Sequence, residues 1–422
     1  METGRTKVQI KNHIKLYFFC TLTGATAGGV VWLFLKIMSE AMGLIWEWIP
    51  GQVSIPFYTI LVCTIGGIVI GLFRRKYGDY PEDLETVIGK VKKEKHYEYK
   101  NMLIMLLAAL LPLLMGSSVG PEAGLTGVIV GLCYWVADNL KAAGKNTKEY
   151  SEVGVAVSLS VLFHAPLFGI FQVQEEADSG ISEVDNTSKI IVYGLALAAG
   201  TGIYAGLSHL FGAGLSGFPS FDDVQLYTKD YVMMVVYILC GCVLAFFYQM
   251  VHKMTKKISD KVPAVWREIL AGICLGVVGT LVPCILFSGE EQMGTLMVEY
   301  KTYLPIMLIG IAFLKIVMTN LCIQFGLKGG HFFPVIFAGV SLGYGIAMLA
   351  FEQSGGHVVF AAAIVTAALL GGIMKKPLAV TMLLFLCFPI KLFIWIFLAA
   401  AVGSKVFQGK MRKDNKEECA NM

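Results

Sequence analysis

Apolar segments of two lengths run along this 422-residue chain, and the shorter kind limits its fold most. Segments 15–38, 53–73, 101–115, 190–211, 231–250 and 304–325 can each cross, or nearly cross, a bilayer. Segments 122–136, 153–163, 167–174, 335–349 and 378–388 are shorter and cut by Gly or Pro. A helix of about 10 to 14 residues falls short of a hydrocarbon core about 30 Å thick. At membrane depth it is tolerated only where protein or a wet cavity covers its ends. The chain is 56% hydrophobic and 15% charged. Soluble domains carry about 25% charged residues, so lipid must cover part of this apolar surface.

Charge placement sets the expected orientation. Lys and Arg gather at 7–15, 74–76, 90–100, 253–261 and 405–416, which marks those stretches as cytoplasmic. Both termini are basic and are placed inside, which requires an even number of full crossings. The apolar run after Lys15 is longer than a signal-peptide core and lacks an A-x-A-like exit, so it reads as a first span.

The ten Cys contain no CxxC, and Cys20, Cys63, Cys133 and Cys274 lie in apolar runs as small hydrophobes. Cys240 and Cys242 also lie in an apolar run, and the seven His form no HExxH, so no metal is expected. No P-loop supports an ATP-driven pump. Gly214-Leu-Ser-Gly217 matches the GxSG of rhomboid-type proteases. However, Ser216 falls in a Gly/Pro/Ser loop rather than a membrane helix, and a nucleophilic Ser needs a His base within reach. The chain is therefore not read as an enzyme, and no cofactor is expected.

The sequence also repeats itself. Gly116-Ser-Ser-Val-Gly-Pro121 opens a short helix, and Ala165-Pro166-Leu167 opens another. In the second half Gly329-Gly-His-Phe-Phe-Pro334 is followed by Lys376-Pro377-Leu378. Pro121 and Pro334 are 213 residues apart, and Pro166 and Pro377 are 211 apart. Matched landmarks at nearly one offset indicate a duplicated unit. Interrupted helices in corresponding places point to a transport site at the repeat interface.

Pro suits the first helical position, where its missing N–H costs nothing, and the Gly before it lets backbone approach a ligand. Free N–H groups and the positive end of the dipole then face outward. Two such ends, one from each repeat, would hold an anion without a full positive charge. A fixed Lys or Arg in contact with the ion would hinder its release.

On these residues the chain resembles the CLC family of chloride channels and proton-coupled chloride transporters. Gly330-His-Phe-Phe-Pro334 is similar to the family's GxFxP, and Ser117-Ser-Val-Gly-Pro121 stands where the family has GREGP. His164-Ala-Pro-Leu-Phe-Gly-Ile-Phe-Gln-Val-Gln-Glu-Glu176 looks like NAPLxGxxFxxEE. The resemblance spans about residues 15–407 and implies an all-α polytopic membrane protein. Its fold would be of the CLC type, with two inverted-topology repeats of broken and tilted helices, working as a homodimer with a pore in each subunit. It implies anion contacts from Gly78, Asp79 and Tyr80; from Ser117, Ser118, Val119 and Gly120; and from Gly330, His331, Phe332 and Phe333.

Departures from the family pattern matter equally. The family's gating and proton-accepting Glu is Val119 here. Valine carries no proton and does not compete with an anion, so passive conduction is expected. Glu122 lies in the first helical turn and is a substitute gate or a partner of the helix dipole. Glu176 matches the internal proton-relay Glu. The family's GSGIP reads Tyr77-Gly-Asp-Tyr-Pro81, with Gly78 replacing the anion-binding Ser; Asp79 is expected to turn away as a cap. The family's pore Tyr falls near Lys391, an ionisable group in the apolar stretch 383–402 that either faces the pore or snorkels to the interface.

The expected organisation is a cytoplasmic segment 1–15, a first repeat 16–214, a connection 215–230, a second repeat 231–407 and a cytoplasmic tail 408–422. The expected function is passive transport of chloride or similar monovalent anions through a pore lined by helix N-termini. The alternative is an anion/proton or fluoride/proton antiporter. The expected setting is the cell membrane, multi-pass, with lipid and the transported anion as partners and no nucleic acid.

Overall fold

The computed structural model describes residues 2–82, 97–139, 186–212, 219–351, 354–385 and 387–420, with scattered residues in 86–90 and 156–171. The described residues are helical apart from loops and an isolated antiparallel bridge between Gly120 and Gly330. The main helices are α1 (Glu2–Gly43), α2 (Tyr58–Tyr77), α3 (Met102–Leu114), α4 (Glu122–Asn139) and α5 (Asn186–Phe211). They continue with α6 (Thr228–Ser259), α7 (Ala264–Leu281), α8 (Glu290–Glu299), α9 (Pro305–Gln324) and α10 (Phe332–Ala350). The last are α11 (Val358–Met374), α12 (Pro377–Leu384) and α13 (Phe393–Ala420).

Among the described residues, seven helices are long and apolar enough to cross a membrane by length and composition. Helix α10 is among them: the segment expected to be a short stub at 335–349 runs for 19 residues. Its glycines read as breaks in the sequence but are packing points in the fold. A Cβ at Gly339 would lie 2.5 Å from Thr366 Oγ1, and one at Gly343 would lie 2.6 Å from the backbone N of Ala362. Glycine there lets α10 and α11 approach backbone to backbone, which membrane helices exploit. Protein covers 83% of the most apolar window of α10, against 22–50% for the other six candidate spans. Segments 153–163 and 167–174 fall partly outside the described residues.

The chain forms two compact units. One takes the described residues of 1–54, 79–110 and 121–217; the other takes those of 55–78, 111–120 and 218–422. In the first unit, α1 and α5 pack through small residues. A Cβ on Gly24 would fall 2.0 Å from the Ala196 carbonyl oxygen, and one on Gly28 would fall 2.1 Å from that of Gly200. Trp32 closes one end by donating its indole N–H to the Gly212 carbonyl at 3.2 Å. Gly24→Val is therefore expected to force the two backbones apart and cost about 3 kcal/mol. Gly29→Val, where the nearest atom is 3.8 Å away, serves as the tolerant control. Thermal unfolding of the two variants in detergent checks this; equal midpoints would contradict it.

In the second unit the helix ends follow local rules. Pro305 and Pro377 open α9 and α12 at the first positions. Arg74, Arg75 and Lys76 close α2, where cations suit the negative end of the dipole, and Gly78 at φ 97° ends it. Glycines also join α2 to α7: a Cβ on Gly67 would lie 2.3 Å from the Glu268 carbonyl, and one on Gly272 would lie 2.3 Å from that of Cys63. Beside this contact Arg74 pairs with Glu268, which is almost wholly buried.

Candidate functional site

Two loops of the second unit meet in its interior. After α3 the chain turns at Gly116, with φ 78°, into Ser117-Ser118-Val119-Gly120, all buried. After α9 it turns at Gly326, with φ 97°, into Leu327–Gly330. The loops are tied by a reciprocal pair of backbone bonds: Gly120 N–H donates to Gly330 O and Gly330 N–H to Gly120 O, each at 2.7 Å. The Val119 side chain lies on the facing backbone, because a Cβ at Gly329 would sit 2.4 Å from Val119 Cγ2. Glycine at 329 is therefore a condition of the approach.

Side chains complete the enclosure. The Ser118 and Thr319 hydroxyls lie 3.3 Å apart, both buried. The Ser117 hydroxyl is also buried and has no hydrogen-bond partner among the described residues. A buried donor of that kind costs free energy unless something accepts from it, so it is the group in this loop best placed to serve an anion. His331 precedes α10 with its ring 5.8 Å from that of Tyr248, which stacks on His252 at 6.1 Å. His252 in turn lies 3.0 Å from Asn320 Oδ1.

The loop amides differ from the expectation drawn from the resemblance. Ser117 N–H donates to Pro112 O at 3.0 Å, and Val119 N–H donates to Ser117 O at 2.8 Å. With Gly120 and Gly330 paired to each other, several N–H groups expected to face an anion already have acceptors within the chain. The turn is too tight for them to point outward together. Residues Ser117 to Gly120 and Gly330 are nevertheless brought together, and Phe332 and Phe333 are buried in the first turn of α10.

The other sequence candidates fall elsewhere. Gly78 and Asp79 are exposed and Tyr80 is half-buried. Glu122 is buried at the first residue of α4. Glu176 and Ser216 lie outside the described residues. Lys391 is 54% exposed and ion-paired to Asp223. Pro389 precedes the short turn Ile390–Leu392, which holds Lys391 ahead of α13. The hydrogen bond from Lys391 holds the Asp223 carboxyl below the usual carboxylate range.

Sequence reasoning missed a second lysine in an apolar run. Lys315 of α9 is fully buried, and its ammonium donates to the carbonyls of Ile285 at 3.0 Å, Leu286 at 3.2 Å and Phe287 at 2.9 Å. An ionisable residue inside a span marks function by default, and that signal was available at position 315. Among the described residues no cluster of His, Cys, Asp or Glu could hold a metal ion.

Known proteins resemble the chain over most of its length. The family described as voltage gated chloride channel matches residues 65–408. YfeO of Escherichia coli O17:K52:H18 (strain UMN026 / ExPEC), a protein named for ion transport, is 24% identical over 331 residues, or 76% of each chain. YfeO of Escherichia fergusonii is 24% identical over the same length. A slow cyanobacterial Cl⁻/H⁺ antiporter has a similar fold, with TM-score 0.78 at 17% identity, covering 94% of this chain and 95% of its own. A CLC-type fluoride/proton antiporter gives TM-score 0.69 at 20% identity, covering 92% and 94%. These likenesses establish the all-α architecture and leave the mode of transport to the site.

Proposed function

The chain belongs to the voltage gated chloride channel family, a family of multi-pass anion transporters, and from that premise we propose that it carries chloride or similar monovalent anions passively. The carrying observation is the side chain at 119. A buried valine stands against Gly329 where the family resemblance calls for a glutamate. Valine has no proton to exchange and no charge with which to displace an anion. On this reading Val119 is the steric gate. The Ser117 and Ser118 hydroxyls, with the N-terminal turn of α10 at His331, Phe332 and Phe333, supply the anion's partners. A homodimer in the cell membrane, with both termini cytoplasmic, is part of the same proposal.

A coupled antiporter is the second reading. It is favoured by the buried carboxyl of Glu122, three residues after Val119, and by the exchanger identity of two proteins of similar fold. Reconstitution into liposomes separates the two. Chloride flux is expected to follow voltage and the chloride gradient, with no uphill chloride movement under an imposed proton gradient. Uphill accumulation driven by protons would replace the passive reading with the exchanger.

A further inference from the structure

The candidate anion site has no Lys, Arg, Asp or Glu in the Ser117–Gly120 or Gly329–Phe333 loops, yet a lysine is buried next to them. Lys315 is wholly inside the second unit, with its amino group held among four backbone carbonyls and, among the described residues, no carboxylate bonded to it. Four carbonyl oxygens surround the nitrogen, Phe287 at 2.9 Å, Ile285 at 3.0 Å, Leu286 at 3.2 Å and Cys284 at 3.5 Å; such a ring of acceptors suits an ammonium, which carries three N–H and no lone pair. The Phe337 ring lies 5.3 Å from the same nitrogen and adds a cation–π contact. The carbonyls and the ring favour the ammonium form over the neutral amine and engage its donors.

The contacts form a closed ring. Lys315 donates to Phe287 O, and Phe287 N–H donates to Gly116 O at 3.1 Å. Gly116 leads to Ser118, whose hydroxyl lies 3.3 Å from that of Thr319. Thr319 is one turn along α9 from Lys315, on the same helix face. Phe287 holds a left-handed backbone, φ 60°, a cost that persists only where neighbours over-determine it. Its carbonyl and amide serve Lys315 on one side and Gly116 on the other. The length of this chain of bonds puts the ammonium within roughly 10 Å of the first carbonyl of the loop.

We propose that Lys315 is a specificity-determining residue of the anion pathway. It acts at a distance as a carbonyl-sheathed fixed cation and sets the position of the Gly116–Ser118 loop through Phe287. The sheath answers the difficulty that a contacting lysine would hinder release, because no N–H is left to grip the ion, while the field still favours anions and opposes cations. This inference rests on the reading of the chain as an anion pathway.

The test uses full-length protein in three forms: wild type, Lys315→Met and Lys315→Arg. Chloride binding is measured by calorimetry, chloride efflux from proteoliposomes, and anion-over-potassium selectivity from reversal potentials. Wild type is expected to bind and pass chloride. Lys315→Met is expected to bind about tenfold more weakly, from loss of a unit charge about 10 Å away at an effective dielectric near 20, and to lose selectivity against potassium. Lys315→Arg, which keeps the charge, should retain the selectivity. A folded Lys315→Met with wild-type binding and selectivity overturns the role of Lys315 while leaving the anion pathway standing. A wild type that neither binds nor passes chloride overturns the pathway itself. If Lys315→Met does not fold, Lys315→Gln takes its place; if no uncharged variant folds, Lys315 is a structural prop and the proposal fails.

Discussion

Val119→Glu is expected to turn a flux that ignores pH into one that is blocked at neutral and alkaline pH and released in acid. The sign follows from the chemistry of the introduced carboxyl. An exposed glutamate has a pKa near 4.3, and burial at a position with no exposed surface raises it. Above that pKa the carboxylate is an anion lodged at the loop pair, competing with chloride for the same hydroxyls. Below it the neutral acid competes no better than valine. Proteoliposome efflux should therefore fall by about tenfold or more between pH 4.5 and pH 7.5, the equivalent of a competing interaction of about 1.4 kcal/mol. Wild type should be flat across the range. Equal flux of the variant at every pH would remove position 119 from the pathway.

The second large effect concerns stability. Glu268→Leu is expected to cost about 3 kcal/mol, because it removes the almost wholly buried carboxylate that pairs with the Arg74 guanidinium. The site cannot relax around it: a Cβ on Gly326 would already lie 1.9 Å from Arg74 Nη1, which shows how closely the end of α9 covers the pair. The double variant Arg74→Met with Glu268→Leu should recover most of the loss, since replacing both charges by apolar groups is often neutral. Unfolding midpoints in detergent distinguish these outcomes. A single variant as stable as wild type would mean that the pair contributes nothing.

Much of the fold was legible because lipid writes long apolar runs and because Gly and Pro mark the loops. The runs at 190–211, 231–250 and 304–325 reappear in α5, α6 and α9. The loops before Pro121 and Pro334 are the ones that pair. Helix α7 escaped notice because Arg267 and Glu268 interrupt its hydropathy, and Glu268 is charged in order to meet Arg74 two hundred residues away in the sequence. The length of α10 was misread because its glycines serve α11 and not a break. Lys391 drew attention and Lys315 did not, although the burial is at Lys315. Burial is a property of the packed chain, and the carbonyls around Lys315 come from a turn that no periodicity announces. Nor does sequence spacing reveal which amides the chain itself consumes.

The reciprocal bonds between Gly120 and Gly330 bear on how such a pathway can open. Parting the loops would strip two donors and two acceptors of partners in the buried interior, at a cost of about 1–3 kcal/mol for each group left unpaired. The joint is therefore a hub and not a hinge. Movement that admits an ion must come from what is mounted on it, a valine turning about one bond or a ring swinging aside. Rotamer changes of that kind take picoseconds to nanoseconds where they are unhindered, so such a gate would flicker, with no slow rearrangement of the backbone.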